Sequence, residues 1–163
     1  MSVLALLGQG GLPANLNDLK TTGQVRMKIE PTTKQPQWVM NAYCAAAVTA
    51  GLPYAIWWTS KRPTATTPAT GFVPVIGFAA KTTTAAGFSE FIVAGYAYGV
   101  VATSAIPIGS GVEVLNGGVI VIDDGADGPL MSPECIGHAQ TAMAGNVVDV
   151  WLYGRMYVEV SAA

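Results

Sequence analysis

Apolar and polar residues alternate in short runs along most of the chain, and glycine or proline separates one run from the next. The clearest case is VEVLNGGVIVI, Val112 to Ile122, where two such runs flank Asn116-Gly117-Gly118. Asparagine and glycine take up positive φ easily, so this pattern predicts a β-hairpin. From Trp38 onward threonine, valine, tyrosine and tryptophan fill the runs and no amphipathic helix of three turns appears. That predicts an all-β body. The alanines of Asn41 to Gly51, NAYCAAAVTAG, would tolerate a helix, but Tyr43, Val48 and Thr49 set no firm face. This stretch stays open between the two.

Residues 1–37 follow a different pattern. GQGGLPANLNDLKTTGQ lacks sustained periodicity, and Glu30 to Gln37, EPTTKQPQ, is a proline-punctuated spacer. Only Gln24 to Ile29, QVRMKI, alternates as one short strand, which could add to the sheet of a partner. We therefore divide the chain into an extended N-terminal arm, 1–37, and a β-rich body, 38–163. The body repeats itself over 76–101 and 136–160. Ile76-Gly77-Phe78-Ala79 and Ile136-Gly137-His138-Ala139 each lead into a threonine/alanine segment, a glycine turn and an alternating strand, with a second glycine at Gly95 or Gly154. A small β-barrel or β-sandwich-like body with two pseudo-repeated lobes would account for this, and chance likeness between alanine- and glycine-rich segments is the alternative.

Composition narrows the function. Of 163 residues 51% are hydrophobic and 11% charged, against about 25% charged in an average soluble domain. Global disorder is excluded, because it needs low hydrophobicity and high net charge. A surface so poor in charge tends to associate, which points to a subunit of something larger. The net charge of −2 offers neither the basic field of a nucleic-acid binder nor a polybasic membrane patch. Mean hydropathy is +0.41, yet the longest uncharged apolar run, Phe91 to Ala102, falls short of the roughly 20 residues of a spanning helix. Val3 to Leu7 is too brief, and too poor in preceding basic residues, for a signal peptide. Seven basic and two acidic side chains stand in 1–81, against one basic and eight acidic in 82–163. A dipolar subunit of this kind could dock its basic part on an acidic surface.

Candidate chemistry is sparse. His138 is the lone histidine, and no nucleophile elbow accompanies it, so we expect a structural role near a turn. In DDGADGPLMSPE, Asp123, Asp127, Gly128 and Glu134 match positions of a calcium loop, but Gly125 stands where a ligand should and a strand-like run precedes it. A solvated turn is the better reading. Cys44 and Cys135 lack metal or redox spacing and read as small buried hydrophobes in a chain made in a reducing cytoplasm. We expect no catalytic residue, cofactor, metal or small-molecule substrate. Trp57 and Trp58 are adjacent, so on a strand one faces the core and the other faces outward. Together with Trp151 they are expected at an oligomer interface rather than stacking on a glycan or a base.

The residues from Ala105-Ile106-Pro107-Ile108-Gly109-Ser110-Gly111-Val112-Glu113-Val114, through Ile136-Gly137-His138-Ala139 and Ala144-Gly145-Asn146-Val147-Val148-Asp149-Val150, to Gly154 resemble the C-terminal pattern of tailed-phage head decoration, or capsid cement, proteins. That pattern is a "pIxxGxxV" step followed by "iGxAxxxAxaGxxVxVxLxG". Ser110-Gly111 replace its usual charged turn, and the arm and the extra repeat copy are additions. The resemblance covers about 60 of the 163 residues. It implies a β-rich virion protein on the outside of a capsid, with the major capsid protein as partner, and, on the resemblance alone, a homotrimer. On this reading the arm lies across neighbouring subunits through Val3, Leu4, Leu6 and Leu7 and through Lys20, Arg26, Lys28 and Lys34. Another phage component, a head-fibre or tail subunit, and a glycan-binding β-domain are the alternatives.

Overall fold

A computed structural model describes residues 23–59, 62–115, 118–121 and 134–160. All regular structure among them is β-strand. The strands are β1 (Arg26–Ile29), β2 (Pro36–Cys44), β3 (Pro53–Trp58), β4 (Pro63–Thr66), β5 (Gly71–Ala79), β6 (Gly87–Val101), β7 (Gly111–Leu115), β8 (Gly118–Val121), β9 (Gly137–Ala139), β10 (Val147–Leu152) and β11 (Met156–Val160). The expected hairpin is β7 and β8, joined with Leu115 opposite Gly118. Its tip, Asn116-Gly117, lies outside the described residues, as does the calcium-like stretch through Pro133. Asn41 to Cys44 is strand, which settles the first part of the ambiguous stretch.

The strands close into a ring in the order β2-β4-β3-β5-β6, because β6 also pairs with β2 from Cys44 opposite Gly87 to Gln37 opposite Gly95. Met40, Ala42, Cys44, Tyr54, Ile56, Ala65, Ala79, Phe91 and Val93 from these strands, with Val48 from the connection between β2 and β3, form one core cluster. Both cysteines are buried, and burial pushes the Cys44 thiol up. A second circuit runs β6-β10-β9-β7-β8 and returns to the end of β6 through a bridge from Ala102 to Val119, with Thr103 N–H donating to the Val119 carbonyl. Val100, Val112, Val114, Val119, Val148, Val150 and Leu152 are its centre. Ala55, Ile76, Phe78 and Ile92, on barrel strands, belong to this second cluster. The barrel wall is therefore apolar on both faces, which is why Pro53–Ile56 and Ile76–Ala79 are buried without alternation.

The repeat halves meet along the shared strand. β5 and β6 belong to the first copy and β9 and β10 to the second, and β6 pairs antiparallel with β10, with Trp151 opposite Tyr96 and Leu152 opposite Gly95. β6 serves two circuits because bulges bend it. Its pairing with β2 skips Val93, and its pairing with β10 carries Tyr98 and Gly99 against Asp149 alone. Gly99 has φ 66°, a conformation that costs glycine little. The Asp149 carboxylate fills this bulge, accepting from Gly99 N–H at 3.0 Å and from the Tyr96 hydroxyl at 2.5 Å. Burial, and then that carboxylate, push the Tyr96 phenol well above its usual range.

Two expectations change here. Gln24–Ile29 was to add to the sheet of a partner, but β1 pairs with β2 of its own chain, Arg26 opposite Val39 and Ile29 opposite Pro36. A donor edge within the same chain lies one turn away, so the strand is satisfied locally. Trp57 and Trp58 were to split between core and surface, but they are 41% and 54% exposed. Only Pro53–Ile56 pair with β5, so the end of β3 is held by β4 alone and projects past both cores.

Candidate functional site

The described surface carries one broad apolar groove, with a volume of about 600 Å³, where the two circuits join. Trp38 from β2, Trp58 from β3 and Trp151 from β10 line it, together with Val25 and Met156. Larger side chains, Met40, Leu152, Tyr153 and Arg155, also line it, and the small Ala94, Gly95 and Gly154 leave space between them. A Cβ on Gly95 would lie 2.7 Å from the Trp38 ring and 2.5 Å from the Pro36 carbonyl, and one on Gly154 would lie 2.9 Å from Ala94 Cβ. These are the second glycines of the two repeat copies, so the repeat motif itself shapes the groove. Met156 is 64% exposed, which leaves an unusual amount of apolar surface here for a chain with so few charges.

β1 extends this surface. Val25, Met27 and Ile29 are exposed, and Met27 sits opposite Trp38 in the ladder. The intervening Arg26 and Lys28 turn to the other side, where both meet Glu90 of β6, Arg26 Nη2 donating to Oε2 at 2.5 Å and Lys28 Nζ donating to Oε1. β1 and β6 flank β2, which places these three side chains together. In the turn after β1, Thr33 Oγ1 donates to Glu30 Oε2 at 2.8 Å, and the Thr33 N–H donates to the same oxygen. That N–H above all holds the Glu30 carboxyl below its ordinary value of 4.5. Lys34, in the same turn at φ 61°, donates to the Pro31 carbonyl.

The residues singled out from sequence thus divide into groups. Trp58 and Trp151 come together in the groove, and Trp57, also on the exposed end of β3, does not line it. Arg26 and Lys28 share one carboxylate of their own chain, and Lys34 is an exposed turn residue. Val3, Leu4, Leu6, Leu7 and Lys20 lie outside the described residues. Trp38, Val25 and Met156 were not singled out. The repeated glycines were the available signal, since a small residue recurring late in an alternating strand marks a close approach. His138 lies on β9 with Nδ1 2.9 Å from the Tyr153 hydroxyl and Nε2 2.6 Å from Gln140 Nε2, and burial raises the Tyr153 phenol. This network ties β9 to the end of β10. Among the described residues no three histidine, cysteine, aspartate or glutamate side chains cluster as a metal site.

No family model and no curated protein matches the chain. Among solved structures, it is similar to the N-terminal base of head fibre gp8.5 of bacteriophage phi29, with a TM-score of 0.53 and 16% identity over 72% of this chain and 95% of that one. At that identity the likeness concerns the fold. The shared architecture extends over nearly all of the fibre base.

Proposed function

We propose that this chain is a structural protein of a phage virion, seated on the outside of the head as a decoration protein that stabilises the shell. The observation that carries the reading is the fold likeness to a head-fibre base, which joins the decoration-type pattern running from Ala105 to Gly154. The apolar groove and the exposed row on β1 supply the kind of surface that a subunit covers on assembly. In this reading the major capsid protein and further copies of the chain, as a trimer, are the partners. Val3, Leu4, Leu6, Leu7, Lys20 and Lys34 contact neighbouring subunits, and Arg26 and Lys28 keep β1 in place beside them.

The same likeness favours a second reading, the base of a head fibre. The two differ in what the exposed end carries. Purified protein added to shells that lack it tests both: co-sedimentation measures attachment, and imaging of the decorated shells locates the density. A continuous layer over the lattice supports decoration, and isolated projections support a fibre base. Absence of binding at micromolar concentration overturns both.

A further inference from the structure

The groove is the open mouth of the barrel. Trp38 and Trp58 stand two residues beyond Met40 and Ile56 of the barrel core, on the same faces of β2 and β3, and Met40, Val75 and Val93 also line the groove. The described residues begin at the rim of that mouth. Gly23 N–H donates to the Asn41 carbonyl of β2, and a Cβ on Gly23 would lie 3.5 Å from Pro63 Cγ, on the residue that pairs with Trp58. Val25, two residues on, lines the groove. We propose that in the free subunit Leu16 and Leu19 of this same chain turn over the rim and pack into the mouth against Trp38, Trp58 and Trp151. The contact belongs to the free subunit, before any assembly covers the same surface, and it does not rest on the virion reading.

Upstream of Gly23 the chain cannot continue along β2. That edge passes to β4, with Tyr43 opposite Thr64, and Gly23 turns away from it at φ 72°. Two sides are then open. The outer side presents Arg26 and Lys28 on Glu90, and the Arg62 guanidinium 3.5 Å from the centre of the Tyr43 ring. The mouth side is apolar, with Arg155 as the one charged residue of its lining. Leucines gain by leaving water against the second surface and not against the first. Leu19 is four residues from Gly23 and Leu16 is seven. Four residues span up to about 14 Å, at roughly 3.3–3.6 Å each, and the groove begins at Val25. So short a tether holds the leucines beside the groove at an effective concentration of about a millimolar or more. A second copy at micromolar concentration does not compete with that. The apolar lining also suits leucines better than a glycan, which would require more polar partners.

Disulfide trapping in the full-length protein tests this. Leu19→Cys is combined with Met156→Cys in the groove or with Arg62→Cys outside it, and the two native thiols are buried and do not compete. Arg62 is exposed and adjoins Pro63 at the rim, but does not line the groove. The expected result is an internal disulfide that forms about tenfold or more faster with Met156→Cys than with Arg62→Cys, at a rate independent of protein concentration. Equal rates overturn the proposal. A disulfide that forms mainly between differently tagged copies overturns it in favour of a second copy. Faster trapping by Met156→Cys of Leu4→Cys than of Leu19→Cys overturns it in favour of the tip of the arm. Tryptophan emission supplies a second measurement, because three of the four tryptophans line the groove. Leu16→Asp with Leu19→Asp should move the emission to longer wavelength and increase its quenching by acrylamide. Emission that does not move overturns the proposal. Glycan-array binding by the unaltered protein that Trp58→Ala abolishes overturns it in favour of a sugar, which a covered groove would not take. None of these measurements needs a shell, so a failure here and a failure to bind shells are distinguishable.

Discussion

The two circuits that share β6 are closed in different ways. The barrel, β2-β4-β3-β5-β6, has a ladder of two or more residue pairs at every junction, although its parallel junction between β2 and β4 has only Tyr43–Thr64 and Cys44–Ala65. The second circuit depends on one bridge from Ala102 to Val119. It compensates through packing, because the outer faces of β3, β5 and β6 supply part of its core. Thus the barrel is held by hydrogen-bond closure and its neighbour by being laid against the barrel. The difference teaches that neither circuit is a free-standing lobe, even though the repeat suggests a duplicated unit.

The largest effect should come from breaking the barrel core. Phe91 is fully buried, and Phe91→Ala should cost about 3–5 kcal/mol. For a chain of this size that lowers the melting temperature by about 6–20 °C. Hydrogen exchange should show β9 and β10 losing protection together with β3. Protection that persists in β9 and β10 would mean that the second circuit stands alone. Asp149→Ala comes next. It leaves the Gly99 N–H and Tyr96 hydroxyl without their charged acceptor, at a cost of about 1.5–3 kcal/mol. Denaturant melts should show this loss, with Asp149→Asn recovering part of it. A loss under half a kilocalorie per mole would shift the bend of β6 onto its glycine.

Smaller effects sharpen the contrast at the rim. Glu90→Gln removes the shared partner of Arg26 and Lys28, whose side chains are 38% and 35% exposed. Exposed pairs contribute about 0–1 kcal/mol, so the melting temperature should move little, while β1 amides exchange faster and the barrel stays protected. The smallest effect is acid titration of the turn after β1. The Glu30 carboxyl is lowered in the folded chain, so its contribution is complete above the unfolded value and disappears as pH falls through the folded one. Below about pH 4.5 the β1 amides should lose protection in the wild type more steeply than in Glu30→Gln. Parallel profiles would remove Glu30 from the account.

Much of this was legible along the chain, for physical reasons that differ by region. The β7–β8 hairpin could be read because its register is local, set by a turn and two alternating runs. The two glycines of the repeat pattern could be read as close approaches, and both are, Gly95 within β6 and Gly154 between β10 and β11. The destination of Gln24–Ile29 could not, because alternation marks a strand without saying which edge it joins. Trp57 and Trp58 were misassigned for a similar reason: the alternation rule presumes a covered face, and β3 outruns its neighbour β5 after Ile56. The groove itself is assembled from β2, β3, β5, β6, β10 and β11, and no window of sequence contains it.

The last strand has a consequence for how the protein is made. β11 pairs with β5, Met156 opposite Val75 and Val160 opposite Gly71. During synthesis the Gly71–Val75 edge therefore waits for some 80 further residues to emerge before its native neighbour exists. Long-range pairing of this kind slows folding and leaves a strand edge available to other chains in the interval. At high expression, a nascent chain next to its twin has two candidates for that edge, and only one of them is its own β11. Yield of the assembled protein should therefore depend on crowding among ribosomes as well as on the stability of the finished fold.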